Sequence, residues 1–168
     1  SLTVLSFQPF NFTIIYFLII PLFFYLITYI SKKSQSVYRK KPYKINLFLF
    51  GLSFGFGFYF SGVSWIVNSL TFDDNFKILI PFGLIFIPLF LSLFISLTVI
   101  IIGPYLKLNM ASIFLFSSSF ALSDYIRAKI LTGFPWNLWA YSFSWATEFL
   151  QVLNHIGLFA FNLIIITI

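Results

Sequence analysis

The chain contains no cysteine, one histidine, one methionine and only four acidic residues among its 168. The missing thiols exclude disulfides, thiolate metal sites and a cysteine nucleophile within these residues. The single histidine leaves little from which to build a metal centre or a general base. Charged residues make up 8% of the chain and hydrophobic residues 60%, and the mean hydropathy is +1.00. A soluble domain of this composition would have too little polar surface to cover itself. The reading is therefore an all-α integral membrane protein, a polytopic bundle of transmembrane helices.

What is present supports that class. The net charge of +6 does not indicate nucleic acid, because the basic residues collect in one short segment between apolar runs. Lys32, Lys33, Arg39, Lys40, Lys41 and Lys44 lie within residues 31–44. Such a segment sets orientation and places loop 31–44 in the cytoplasm, and the same placement suits contact with anionic lipid. Counting loops alternately, Lys107 joins that side, whereas Lys77, Arg127 and Lys129 fall on the other. Loop 131–145 is then periplasmic.

Along the chain, Ser6-Phe7-Gln8-Pro9-Phe10-Asn11 reads as a turn in which Pro9 restricts Gln8 and Asn11 caps the helix after it. Ser1 to Leu5 reads as the last turn of a helix, and the apolar run ending at Ile168 as a span cut short, so the chain is expected to be an N-terminal membrane domain of a larger protein. About five spans are expected, near 12–30, 45–70, 78–102, 110–130 and 157–168, the first and last truncated. Phe12 to Ile30 carries no charge and approaches the roughly 20 residues needed to cross a hydrocarbon core. Pro21 is tolerable there, and Pro81 and Pro88 are expected to kink or tilt the third span.

The second span holds Gly51 and Gly55 as one small-residue pair and Ser53, Gly57 and Ser61 as another stripe, which predicts close approach of neighbouring helices. Gly55-Phe56-Gly57 follows no strand and is no nucleotide fingerprint. Near the outer end of that span, Trp65 and Asn68 are candidates to face lipid or substrate. Asp73 and Asp74 read as a solvated turn, because no third ligand lies nearby. Asp124 and Arg127, three apart, share one helix face and predict a structural ion pair near the outer boundary, with headgroup contact as the rival role. Glu148, Gln151 and His155 fall on one face of a short helix starting near Ala146. They read as an interfacial polar stripe, since one histidine, one carboxylate and an amide make a poor metal site. No metal site and no cofactor is expected.

The long segment that is neither apolar run nor charged loop is Leu131-Thr132-Gly133-Phe134-Pro135-Trp136-Asn137-Leu138-Trp139-Ala140-Tyr141-Ser142. Gly133 and Pro135 break helix, and Trp136, Trp139 and Tyr141 carry amphipathic rings that favour a membrane boundary. Two readings stay open. The loop is an aromatic belt, or it packs against a lipid-like substrate or a second domain through Phe134, Trp136, Trp139 and Tyr141.

Taken together, Ser6-Phe7-Gln8-Pro9-Phe10, then Gly55-Phe56-Gly57 with Ser61-Gly62-Val63-Ser64-Trp65-Ile66, then Asp124-x-x-Arg127 running into Leu131-Thr132-Gly133-Phe134-Pro135-Trp136 and Tyr141-Ser142, resemble the membrane domain of the apolipoprotein N-acyltransferase family. The Leu-Thr-Gly-Phe-Pro-Trp block is the specific part. Where that family often has glutamate before x-x-Arg, this chain has Asp124, with the same charge on a shorter arm. The resemblance implies an enzyme of the bacterial inner membrane. It would take an acyl chain from a phospholipid donor, hold it as a thioester on a cysteine, and pass it to the α-amino group of a diacylglyceryl-cysteine lipoprotein. It also implies a nitrilase-like domain, absent from these residues, that supplies glutamate, lysine and cysteine, so no catalytic residue is expected within this chain and none of the chemistry from it alone. The alternative is a non-enzymatic membrane component, a transporter half or assembly subunit, with the aromatic loop as a protein contact.

Overall fold

A computed structural model describes residues 2–7, 10–34, 42–130 and 137–168. Among them every regular element is helical. Four long α-helices carry the fold: α1 (Ile14–Ser34), α2 (Pro42–Val63), α3 (Ile80–Ile102) and α4 (Met110–Ile130). Two short ones come next, α5 (Thr147–Gln151) and α6 (Leu153–Ile156), then α7 (Leu158–Thr167). Segments of 3-10 helix cover Leu2–Ser6, Ser64–Thr71, Asp74–Leu79, Gly103–Tyr105 and Trp139–Phe143. Three helical stretches, Ile14–Lys33, Lys44–Thr71 and Asp74–Tyr105, are long and apolar enough to cross a membrane. At 21 residues, α4 has the length of a span at about 1.5 Å per residue, but its far end carries Asp124, Arg127 and Lys129.

The α2–α3 pair is the most extensive in the bundle, and small residues explain why. A Cβ built on Gly51 would lie 2.8 Å from Ser96 Cα, and one on Gly55 2.9 Å from Ser92 Cβ and 3.0 Å from Ser92 Cα. Each glycine of one antiparallel helix thus faces a serine of the other, and the backbones meet where a side chain would hold them apart. Ser96 Oγ spans the seam and donates to Phe48 O at 2.7 Å. The expected second stripe is spent differently: Ser53 is exposed, and Ser61 Oγ donates to Gly57 O of its own helix at 2.9 Å.

Aromatic rings fill the space between α1, α2 and α4. Phe23 stacks on Phe54 with centroids 3.8 Å apart, and Phe116 and Phe120 meet the Phe23 ring edge-on. Such offset and edge contacts bury large areas while adding ring–ring attraction. Pro21 sits inside α1 and Pro88 inside α3. Pro81 instead occupies the first turn of α3, where its missing N–H is one the helix would leave unpaired anyway. It therefore starts α3, contrary to the expected kink. Asn11 acts through its backbone, at φ 55°, a left-handed conformation that asparagine tolerates. Gln8 and Pro9 of the first turn lie outside the described residues, as do positions 35–41 of the basic loop.

Candidate functional site

The end of the bundle where α2 finishes, α4 finishes and α7 passes is organised by a buried polar cluster. Residues three apart in a helix lie on one face, and Arg127 Nη2 sits 3.0 Å from Asp124 Oδ1. The Arg127 side chain is 1% exposed and that of Asp124 9%. The guanidinium also lies over the Tyr59 ring of α2, 5.0 Å from its centroid, a placement in which the ring quadrupole attracts the cation. From α7, Asn162 Nδ2 donates to Asp124 Oδ2 at 2.9 Å. Its other end, Oδ1, accepts from the backbone N–H of Ala140 at 3.0 Å. Desolvated charges are costly unless paired and hydrogen-bonded, and groups from α2 and α7 converge on this pair of α4.

Above the cluster, Trp139–Phe143 forms a tight 3-10 turn, and Asn137, two residues before it, adopts φ 45°. A Cβ on Gly62 would overlap the Asn137 amide, so the glycine is what lets this loop rest on α2. Trp139 stacks on Phe58 with centroids 4.3 Å apart and tilts against Tyr16 at 5.6 Å. Thr13 Oγ1, at the start of α1, donates to Ser142 O at 3.2 Å and accepts from Trp145 Nε1 at 2.7 Å. Ser142 Oγ closes the turn on Trp139 O at 2.7 Å. The turn is therefore tied to α1, α2 and α7.

The expected site residues fall into several different environments. Trp139 is 5% exposed, so its ring belongs to the core and does not face lipid or substrate, a correction caused by the apolar ring finding Phe58 and Tyr16. Tyr141 is half-buried, and burial pushes its phenol up from the ordinary range, which keeps it protonated and removes it as a base near neutral pH. Trp65 is 61% exposed and Asn68 is also exposed, both on the 3-10 segment that extends α2. Phe134 and Trp136 lie outside the described residues. Asp73 Oδ1 accepts from Asn75 N at 2.9 Å, and Asp74 pairs with Lys77, all at an exposed turn. Glu148, Gln151 and His155 are exposed but do not share one helix, because the helix breaks at Val152 between α5 and α6. No group of three metal-ligating side chains gathers among the described residues.

Asn162, Tyr59 and Thr13 belong to this end of the bundle and were not singled out in the sequence reading. A signal existed for the first: Asn162 is the one amide in the otherwise apolar run from Leu158 to Ile166, and a polar side chain at such depth calls for a partner.

The whole chain, residues 1–168, matches the profile of the apolipoprotein N-acyltransferase N-terminal domain. Curated relatives bearing the name apolipoprotein N-acyltransferase agree. The protein of Rickettsia typhi (strain ATCC VR-144 / Wilmington) is 34% identical over 146 residues, 86% of this chain and 28% of its own length. That of Rhizobium leguminosarum bv. trifolii (strain WSM2304) is 31% identical over 160 residues, 94% of this chain and 29% of its own. That of Rickettsia bellii (strain RML369-C) is 34% identical over 119 residues, 70% of this chain and 24% of its own. The chain thus spans about a fifth to three tenths of the length of the curated relatives it matches. No solved structure matches it.

Proposed function

Because the chain belongs to the apolipoprotein N-acyltransferase family, we propose that it is the membrane part of an enzyme that moves a fatty acyl chain from a phospholipid to the α-amino group of a lipoprotein's diacylglyceryl-cysteine. The observation that carries this reading is the match over all of residues 1–168, which takes in the buried cluster and the aromatic turn together. The alternative of a transporter half or assembly subunit gains nothing from relatives named as N-acyltransferases.

In this reading the bundle positions and the covalent step happens elsewhere. A thioester route needs a thiolate to carry the acyl group, and these 168 residues hold no cysteine. A nitrilase-like domain with glutamate, lysine and cysteine would supply it. Thr13, Asn162 and the Asp124–Arg127 pair hold the 139–143 turn at a fixed depth, so that lipid-borne donor and acceptor meet the thiolate in register. Fixing reactants in this way is a recognised source of rate. Trp65 and Asn68 are the exposed candidates for lipid or substrate contact, and Phe134, Trp136 and Tyr141 complete the candidate set. The bundle lies in the bacterial inner membrane, with loop 31–44 in the cytoplasm and loop 131–145 in the periplasm. The basic residues clustered in 31–44 support that orientation.

The experiment compares two purified proteins supplied with phospholipid and a diacylglyceryl peptide. The chain of 168 residues should form neither an acyl-enzyme nor a triacylated product, whereas the full-length gene product should form both. Product from the short chain, or none from the long one, would overturn the division of roles.

A further inference from the structure

The side chain of Asn162 is fully buried in α7, with 0% exposure, and it is bonded at both ends. It donates to a carboxylate of α4 and accepts from the backbone of the aromatic turn. No other common side chain of this size does both. An ionised aspartate only accepts, a leucine of similar bulk does neither, and a hydroxyl is too short to bridge the two groups. The atoms it joins matter as well. Ala140 N–H belongs to a turn with Ala140 2% and Trp139 5% exposed, so without Asn162 that donor would be buried and unpaired.

We propose that Asn162 is a positioning residue that sets the depth and orientation of the 139–143 turn by coupling it to the Asp124–Arg127 pair. Asp124 is the fixed point: Arg127 holds one carboxylate oxygen, and Asn162 takes the other. With its Nδ2 so held, the asparagine presents Oδ1 in one direction only, towards Ala140 N. Trp139 then seats on Phe58 as a consequence, since the residue next to it is pinned. Plain helix packing would not require this chemistry. In an apolar helix such as α7, leucine would serve packing as well as asparagine, without the cost of burying an amide. The effect on turnover rests on the function proposed above, while the positioning itself does not.

The test uses the full-length protein in nanodiscs and hydrogen exchange followed by mass spectrometry. For Asn162→Leu, the peptide covering residues 138–143 should exchange about tenfold faster or more, the order expected for losing a buried hydrogen bond. Peptides from the middle of α3 and α4 should keep their protection. Unchanged exchange at the turn, or equal loosening of turn and helices, overturns the proposal. Should Asn162→Leu not fold, the comparison passes to Asn162→Asp and to the exchange of partners, Asp124→Asn with Asn162→Asp. The single variant puts two carboxylates where the 2.9 Å bond runs and should loosen the turn. The paired variant restores one amide facing one carboxylate, keeps an acceptor for Ala140 N–H, and should recover protection. A paired variant no better than the single one also refutes the coupling. In acyl transfer, Asn162→Leu should lower kcat more than it raises KM. A loosened turn with untouched turnover would leave the positioning intact and remove the turn from the path of the reaction.

Discussion

Removing either member of the Asp124–Arg127 pair tests whether the bundle depends on that contact. In Asp124→Ala the guanidinium stays in a place that is 1% exposed, losing its carboxylate while the Asn162 amide loses its acceptor. Breaking a buried pair by deleting one partner costs about 3–5 kcal/mol. Arg127→Ala leaves the Asp124 carboxylate buried with Asn162 still donating to it, and also removes the cation from the Tyr59 ring, a contact of about 0.5–2 kcal/mol. Each single variant should therefore lose several kcal/mol in an SDS titration from mixed micelles, with Asp124→Ala at the larger end because both the guanidinium and the Asn162 amide lose an acceptor, whereas in Arg127→Ala the carboxylate keeps its Asn162 bond. The double variant leaves no stranded charge, so its loss should fall short of the sum of the singles by about 1–3 kcal/mol. Arg127→Lys should recover part of the loss, since it keeps the charge but not the planar fork or the stack. Losses that add to within about 0.5 kcal/mol would show that the two side chains do not interact.

Gly51→Ala and Gly55→Ala should each destabilise the protein by about 1–3 kcal/mol in the same titration, because the new methyl meets Ser96 or Ser92 backbone that cannot swing aside. Stability equal to or above that of the parent would mean that the helices are not in contact there. Thr13→Val should release Trp145 Nε1 and the Ser142 carbonyl together, shifting Trp145 emission while costing about 1–3 kcal/mol; unshifted emission with parental stability would remove the tie between α1 and the turn. For orientation, a cysteine at Ser36 should react with an impermeant reagent only from the cytoplasm and one at Glu148 only from the periplasm, and labelling of both from one side would refute it. Glu148 is exposed, whereas Ser142 is buried and unsuited to labelling.

The helices were legible because long uncharged runs admit few other structures. The pair at 124 and 127 was legible from spacing alone. The glycine pair at 51 and 55 announced a close approach but not its partner, since Ser92 and Ser96 look like any other hydroxyls in an apolar run until α3 is placed against α2. The aromatic turn misled for a related reason. Tryptophan suits both a membrane boundary and a protein core, and composition cannot tell which environment Trp139 meets. That depends on Phe58 and Tyr16, 81 and 123 residues earlier in the chain. The break at Val152 was likewise invisible, because the spacing of Glu148, Gln151 and His155 is compatible with one continuous helix.

The placement of polar groups argues that this bundle is built to hold one end rigid. Along α3 the buried hydroxyls turn back on nearby backbone, as Thr98 Oγ1 does to Phe94 O at 2.8 Å and Ser92 Oγ to Leu89 O at 2.6 Å. They satisfy themselves and commit no neighbour, apart from Ser96 at the seam. At the far end the pattern reverses: Asp124, Arg127, Asn162, Thr13 and Trp145 all bond across elements or hold a partner that does. In a bilayer, apolar surface gives helices little reason to prefer one another over lipid, so packing and inter-helix polar bonds decide where elements sit. Thr13–Ser142, Trp145–Thr13 and Ala140–Asn162 all meet within residues 140–145, while Ser96–Phe48, Ser123–Phe94 and Tyr16–Ile165 tie the spans elsewhere, so the turn is the place where several such ties coincide. Under the function proposed above, a turn held in this way would serve to present a lipid-borne donor and acceptor to a reactive group outside the bundle.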